Sequence, residues 1–294
     1  MGVWEGLSRL LKDPPPEFVF ELSPAGIAVG RTGKRVETSW RALDPDVLVV
    51  SPVRDNVVRP DVLAAQVREL VPGNGSRKRR RAALILPDYS VRVLVLDFDA
   101  FPSDPKEQAS LIRFRLRKSL PFDVDAAASS FHVQQPAGRK GADVVVAVAP
   151  LEIVARYEAP FRSLGFQVGW VTTSVLAALE LVPASGIRLL AKRSGAVLSL
   201  AVAEGGTVRL LRTIELASAE AAEALSHLYP TVAFVEDQMG ARPERLHVCG
   251  FAPAASAQFE SELGIPVEPL RSRFGSPGES NAGLLGYLES LEAA

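Results

Sequence analysis

The segment at 83–122 constrains the fold more than any other part of the sequence. It begins with two apolar stretches that meet at a Pro-Asp pair at 87–88, and in the second stretch Val91, Val93 and Val95 alternate with other residues. An alternation of period two is typical of a β-strand, and a Pro-Asp pair is typical of a turn. The segment therefore predicts two consecutive strands, and the chain must contain β-sheet.

A basic helix is predicted after the second strand, over 104–120. Asp104 is suited to the N-cap position, Pro105 to the first helical position and Glu107 to the third. The outward face of this helix is cationic, because it carries Arg113, Arg115, Arg117 and Lys118. Two interpretations of that face stay open: a solvated surface, or a surface that meets the carboxylates of a partner.

A longer pattern that includes this segment resembles the PilM family. The pattern adds LDPDVLVVSPVRDNVV at 43–58 and LYPTVAFVEDQMGARPERLHVCGFAP at 228–253, and it runs in order from about Glu17 to the C-terminus. The PilM family consists of cytoplasmic, actin-like proteins of the type IV pilus inner-membrane platform. The resemblance implies an α/β, actin-like (RNase H-like) fold with two lobes, a cleft between them and an additional small subdomain in the first lobe.

Domain boundaries follow from the resemblance together with the turns. Residues 1–16, which end in three prolines, are predicted to be a flexible N-terminal segment. Residues 17–149 are predicted to form the first lobe, including the extra subdomain at about 83–135, and residues 150–294 the second lobe. A strand meander in the first part and a hairpin at Glu-Gly-Gly-Thr, 204–207, in the second predict that the two lobes are related.

Composition excludes several classes of function. The formal net charge of the 294-residue chain is -1, so no global attraction to nucleic acid is expected. The single cysteine, Cys249, cannot form an internal disulfide and fits a reducing compartment. No apolar run approaches the ~20 residues needed to span a bilayer, and the N-terminal residues are too polar for a secretory signal. These features predict a soluble, cytoplasmic protein, and the resemblance to the PilM family implies that protein partners hold it at the inner membrane.

Two segments keep alternative interpretations. The apolar residues Trp4, Leu7 and Leu10 fit either a frayed terminus or a short foot on the membrane interface. The basic run at 77–81 fits a solvated loop or a site of attraction to anionic lipid. It lacks interleaved aromatic residues for stacking on bases, which again argues against nucleic acid.

The resemblance implies a nucleotide site, whose first glycine-rich hairpin falls at 20–26. In such a hairpin, backbone N–H groups face phosphates and an aspartate holds magnesium. The candidate residues here are Glu21, Ser23 and Gly26. Glutamate stands where aspartate is expected, and Pro24 removes one donor N–H.

The second hairpin, at 189–196, and the adenosine-side loop also depart from the family pattern. The candidates are Lys192, Ser194 and Gly195 in the hairpin, and Gly250 in the loop. Lysine cannot hold a metal ion, and no aspartate is present in this hairpin. We therefore expect a degenerate nucleotide site with no required cofactor, ATP being the one ligand that stays open.

No catalytic or metal-binding motif is recognisable. His132, His227 and His247 are far apart and lack metal-ligand spacing to the single cysteine. His132 and His247 lie on predicted strands, where a satisfied core residue is the simpler interpretation. For Cys249 we expect a buried structural thiol. The protein is accordingly predicted not to be an enzyme.

The partner implied by the resemblance is a PilN-like inner-membrane protein. In that family the cytoplasmic N-terminal tail of PilN lies along a groove of the first lobe and its extra subdomain. We expect the groove to be lined by the meander and by the strand at 89–96, and an extended tail to bind it by strand addition. Tyr89, Arg92, Arg113 and Arg117 are the predicted contacts.

The leading hypothesis is a non-enzymatic adaptor of the type IV pilus platform that connects the PilN-like protein to other platform and motor proteins. Self-association is a further expectation. The alternative is an actin-like ATP-binding protein or ATPase of the pilus or type II secretion machinery. A third hypothesis, the cytoplasmic half of a GspL-like secretion protein, is less favoured, on the expectation that such a protein carries a membrane span after this region.

Overall fold

The structure is a computed structural model that describes residues 15–33, 35–71, 80–135 and 141–293. Most of the predicted N-terminal segment and of the basic run at 77–81 therefore lies outside the described residues. The strands are β1 (Phe18–Ser23), β2 (Gly26–Arg31), β3 (Glu37–Ala42), β4 (Arg80–Leu86), β5 (Arg92–Phe98), β6 (Ala127–Gln134), β7 (Ala142–Pro150), β8 (Phe166–Thr173), β9 (Ile187–Ser194), β10 (Val197–Glu204), β11 (Thr207–Glu215), β12 (Arg245–Cys249) and β13 (Val267–Pro269). The helices are α1 (Pro60–Leu70), α2 (Pro105–Leu116), α3 (Leu151–Ser163), α4 (Ser174–Ala178), α5 (Ala221–Met239), α6 (Pro253–Leu263) and α7 (Ala282–Ala293).

The first sheet has the strand order β3-β2-β1-β4-β8. Strands β1 to β3 form an antiparallel meander, and β4 and β8 then add in parallel on the other side of β1. Side chains of β1 alternate between two buried clusters: Phe20 lies with Leu63 and Tyr157 of α1 and α3, and Val19 lies with Leu284 of α7. Because helices cover both faces, the central strand β1 is buried along its whole length and mostly apolar.

The second sheet repeats this topology with the order β11-β10-β9-β12-β13. Its first three strands again form an antiparallel meander, and β12 and β13 add in parallel. Leu189, Leu200 and Val248 of this sheet pack in one cluster with Leu228 of α5 and Phe259 of α6. The molecule is therefore built from two related halves, in which β1 and β9 occupy equivalent places.

A separate antiparallel sheet, with the order β5-β7-β6, forms the additional small subdomain. Helix α2 covers one face, where Ile112 and Leu116 pack against Val144 and Val146. The helix begins as predicted, because the Asp104 carboxylate accepts the N–H groups of residues 106 and 107, but it ends at 116 instead of 120.

Two predicted boundaries are corrected. The small subdomain begins at β5 and ends with β7, because β4 pairs with β1 in the first sheet while β7 is the central strand of the small sheet. The lobe boundary at 149–150 is also wrong, because β8 pairs with β4 and extends the first sheet to Thr173. The C-terminal helix α7 packs on the first lobe as well.

Helix α7 approaches α4 closely through two glycines. A Cβ atom at Gly286 would lie 2.0 Å from the carbonyl oxygen of Ala177, and one at Gly283 would lie 2.7 Å from Cα of Ser174. Neither distance leaves room for a side chain, so glycine permits this backbone contact. Helix α7 is thereby held directly against α4.

Candidate functional site

The cleft between the two sheets contains the two hairpins predicted to face phosphate. In the β1–β2 turn, the Ser23 hydroxyl donates to the Gly26 carbonyl at 3.0 Å and accepts the Gly26 N–H at 3.1 Å. In the β9–β10 turn, the Gly195 N–H donates to the Glu279 carboxylate at 3.1 Å. Both glycine N–H groups are therefore bonded to side chains of the protein itself.

Glu21 is buried on β1 and holds two helix starts together. Its Oε1 accepts the Ser174 hydroxyl of α4, and its Oε2 accepts the Leu284 N–H of α7 at 2.6 Å. Burial raises the pKa of Glu21, although Lys192 and these two hydrogen bonds act in the opposite direction. Glu21, which stands where an aspartate was expected, thus forms hydrogen bonds within the protein itself.

Lys192 occupies on β9 the place equivalent to Glu21 on β1, two residues before the strand end. Its side chain is 2% exposed, and its Nζ donates to Asp88 Oδ2 at 3.1 Å. Burial alone would lower the pKa of Lys192, but the carboxylates of Asp88 and Glu21 outweigh it and raise the pKa above its ordinary value. Lys192 is therefore a buried ammonium between two carboxylates.

Asp88 is the other centre of this cluster. Its Oδ2 accepts Lys192 and also the Ser199 hydroxyl at 2.8 Å, while its Oδ1 accepts the Val175 N–H of α4 at 2.6 Å. Asp88 follows β4, Val175 belongs to the first lobe, and Lys192 and Ser199 belong to the second. One carboxylate therefore connects the two lobes.

The remaining predicted residues are also engaged within the chain. Arg193 donates from Nε to the Gly250 carbonyl at 3.0 Å and from Nη2 to Glu279 at 3.2 Å. Gly250 has φ 77°, and a Cβ there would lie 2.1 Å from the Arg193 carbonyl oxygen, which explains the glycine. Ser194 lines a small space in the cleft, together with Ser23 and Tyr89.

A magnesium nucleotide does not fit this arrangement. The space lined by Ser23, Tyr89 and Ser194 has a volume of about 20 Å³, room for about one water, whereas small-molecule sites span ~300–1,000 Å³. A magnesium ion would also require anionic ligands at this place in the cleft, and the side chain of Lys192 is a buried cation. No group of three His, Cys, Asp or Glu side chains in the described part of the chain is arranged to hold a metal ion.

A second opening, the apolar groove, lies between the small subdomain and the first sheet. Its volume is about 360 Å³. It is lined by residues of β6, β7 and β8 with a few neighbours, among them Ala128, Phe131, His132, Ala147, Gly169 and Val171. Strands β6 and β8 are each the edge strand of their sheet. The apolar groove thus has a strand edge on either side.

The apolar groove is lined by other strands than the sequence predicted. Of the predicted stretch at 89–96, Val91 lines it, and the meander does not. The reason is the strand order, because β5 forms the far edge of the small sheet and contacts β11, which leaves β6 beside β8.

The four predicted partner contacts lie away from the lining of this groove. The Arg92 guanidinium lies 5.3 Å from the centre of the Tyr89 ring. Arg117 pairs with Asp125 at 2.9 Å, and Arg113 is exposed on α2. The structure brings Tyr89 and Arg92 together, but not with Arg113 of α2 or with Arg117, which directly follows that helix.

The histidines and the cysteine differ in their surroundings. Cys249 is buried as predicted; burial raises the pKa of its thiol to about 12, and it donates to the Gly278 carbonyl. His247 is buried, but its Nε2 has no hydrogen-bond partner among the described residues, so the prediction of a satisfied residue was wrong. His132 is half-buried and lines the apolar groove, where burial lowers its pKa.

Sequence reasoning missed Asp88, Ser174 and Glu279. Asp88 was assigned only to a turn, and the Pro-Asp pair after a buried strand was the one available indication. Ser174 and Glu279 lie far along the chain from Glu21 and Gly195, their partners. Only the three-dimensional fold brings these pairs together.

Two related five-stranded halves with a cleft between them define an actin-like fold. No protein-family model and no curated protein matches the chain. Among solved structures, a chain of the "PilM-PilN type IV pilus biogenesis complex" is similar with a TM-score of 0.73 and 17% identity, over 88% of this chain and 89% of that chain. The similarity in fold thus extends over most of both chains.

Two further structures have the same fold at greater distance. The cytoplasmic domain of EpsL, an inner-membrane component of the type II secretion system of Vibrio cholerae, matches with a TM-score of 0.53 and 16% identity, over 94% of this chain and 95% of that chain. A Bacteroides thetaiotaomicron protein with an actin-like ATPase fold and unknown function matches with a TM-score of 0.52 and 11% identity, over 85% and 89%. In the described residues, no helix is both long and apolar enough to cross a bilayer.

Proposed function

We propose that this protein is a PilM-like, non-enzymatic adaptor of the type IV pilus inner-membrane platform. In this role it binds the cytoplasmic N-terminal tail of a PilN-like membrane protein and so lies in the cytoplasm at the inner membrane. The observation that carries the proposal is the apolar groove between two strand edges. The similarity in fold to a chain of the PilM-PilN complex supports it.

The apolar groove suits an extended peptide. The edge strands β6 and β8 leave backbone N–H and C=O groups that a further strand can bond, and apolar side chains between them can receive alternate side chains of the peptide. The walls are rich in valine and alanine, so a bound strand would meet mostly small apolar side chains.

The filled cleft supports a scaffold over an ATPase. Hydrolysis of ATP requires a metal ion and a positioned water, whereas the cleft contains a lysine paired with an aspartate, and the space beside this pair measures about 20 Å³. The alternative, an actin-like ATP-binding protein, requires the Asp88–Lys192 pair to separate before a nucleotide enters.

The test is titration of a labelled peptide, the tail of the adjacent PilN-like protein, with the full chain. We expect saturable micromolar binding that is weakened by Ala147→Glu in the groove. Reversal of Arg113 and Arg117 to glutamate is the matched comparison, since both residues lie outside the groove lining. If only the arginine reversal abolished binding, the tail would bind at α2 and not in the apolar groove. If the folded parent chain bound no peptide, the adaptor function would be contradicted.

A further inference from the structure

Asp88 lies at the connection between two sheets that form the apolar groove. The turn Asp88–Ser90 joins β4 of the first sheet to β5 of the small subdomain. Leu86, two residues before Asp88, and Val91, three residues after it, both line the groove. The path of the chain through this turn therefore helps to set how far the small sheet stands from the first sheet.

The turn is anchored at both ends by buried groups. At its start, Asp88 is bonded to Val175, Lys192 and Ser199. At its end, the hydroxyl of Ser90 lies 2.9 Å from the hydroxyl of Tyr157 on α3. Of these partners, Lys192 and Ser199 alone come from the second lobe.

The second lobe also holds the small subdomain directly. The Gln134 side chain donates to the Val208 carbonyl and accepts the Val208 N–H, each at 2.9 Å. Asp143 of β7 forms a buried ion pair with Arg209 of β11. The second lobe is thus bonded to the small subdomain at two strands and to the connecting turn.

We propose that Asp88 and Lys192 are positioning residues for the apolar groove: their buried ion pair, in the cleft that nucleotide would occupy in an actin-like ATPase, fixes the spacing between β6 and β8. That a peptide occupies the groove rests on the function proposed above. The fixed spacing does not rest on it, and it can be measured without any peptide.

The spacing is measured with spin labels on engineered cysteines at Ser119 of the small subdomain and Gln167 of β8. Both positions are exposed, and the native Cys249 is buried with a thiol pKa raised by burial to about 12, so the new cysteines are labelled selectively. In the parent chain, double electron–electron resonance is expected to give one narrow distance. Lys192→Met, which keeps an unbranched side chain without the charge, is expected to broaden or shift it.

Two further variants separate positioning from a general loss of stability. Lys192→Met leaves the carboxylates unpaired and is expected to lower Tm by roughly 10 °C. Adding Asp88→Asn to Lys192→Met removes the unpaired charge and should restore part of the lost Tm. The distance distribution should stay broad, because the ion pair between the lobes is still absent. Leu263→Ala, in the separate core of the second lobe, lowers Tm comparably and leaves the distance narrow.

Peptide binding supplies the second measurement. At a temperature well below every Tm, Lys192→Met is expected to weaken tail binding at least tenfold, and Leu263→Ala to leave it unchanged. A distance distribution in Lys192→Met identical to that of the parent overturns the inference, whatever happens to Tm. If the parent chain binds no peptide, the proposed function fails, and the distance measurement still decides whether the pair sets the spacing.

Discussion

The cleft and the apolar groove show how two openings of one molecule can take opposite roles. The cleft lies between the two related halves, and the space beside Glu21, Asp88 and Lys192 has a volume of about 20 Å³. The apolar groove is formed by the added three-stranded sheet and measures about 360 Å³. The two openings therefore differ in volume and in the chemistry of their side chains, and we expect these differences, not the shared fold, to decide which of them binds a ligand.

The largest effect is expected from Asp88→Ala in the cleft. This change leaves the Lys192 ammonium buried without its partner and the Val175 N–H without an acceptor, and breaking such a pair costs about 3–5 kcal/mol. Urea unfolding followed by circular dichroism measures the loss. Asp97→Ala, at a carboxylate that is 84% exposed, is the control and should change stability by less than about 0.5 kcal/mol. Equal losses in both variants would contradict the ion pair.

A charge in the apolar groove is expected to reduce binding more than stability. Ala128→Glu places a carboxylate on the groove side of β6, and we expect at least a tenfold loss of tail affinity, about 1.4 kcal/mol, measured by fluorescence anisotropy. Ala42→Glu makes the same change on the exposed edge strand β3 and should leave the affinity unaltered. If both variants bind as the parent does, the peptide lies elsewhere.

Glu180 is a contrast to the carboxylates of the cleft, because burial raises its pKa from 4.5 to about 7 and no hydrogen bond offsets it in the described structure. The folded-state pKa lies above the unfolded one, so ionisation of Glu180 reduces stability progressively as pH rises from 4.5 to 7. Glu180→Gln should therefore raise Tm by a few degrees at pH 8 and little at pH 4.5. Melting curves across this range measure the difference, and a gain that is independent of pH would contradict the assignment.

The smallest effect, a change in Tm near zero, is expected from magnesium ATP. A ligand at ~100 times its dissociation constant adds about 2.7 kcal/mol, which would raise Tm by several degrees. Because the cleft is filled by its own side chains, we expect no rise at millimolar magnesium ATP relative to magnesium alone. A clear rise would favour the ATP-binding alternative and show that the ion pair can open.

Much of the fold could be predicted from the sequence, because its cause is local. The valine alternation in β5 and the Asp104–Pro105 cap of α2 are visible in short segments, and the resemblance supplied the order of the lobes. The lobe boundary was misplaced because β8 follows α3 and pairs with β4, where Phe166 lies opposite Arg80. Spacing along the chain does not show that parallel pairing.

The candidate sites were predicted less well, for the same physical reason. The sequence showed that Glu21 and Lys192 depart from the residues of the family's nucleotide-site pattern. It did not show the hydrogen bonds that they form, because their partners Ser174, Leu284 and Asp88 are remote in sequence. The apolar groove has another lining than the groove that the sequence predicted for the tail, and the site of tail binding stays a prediction. Which edge of the small sheet faces the first lobe depends on the strand order β5-β7-β6, which no segment of sequence specifies alone.

The position of α7 has a consequence for the order in which the chain folds. Glu21 of β1 accepts a bond from Leu284, 263 residues later, and α7 covers one face of the first sheet. During synthesis that face of the first sheet therefore stays uncovered until α7 has left the ribosome. Contacts of such long separation slow folding and leave apolar surface exposed to aggregation meanwhile. Helix α7 completes the first lobe, so removal of this helix should destabilise the first lobe most.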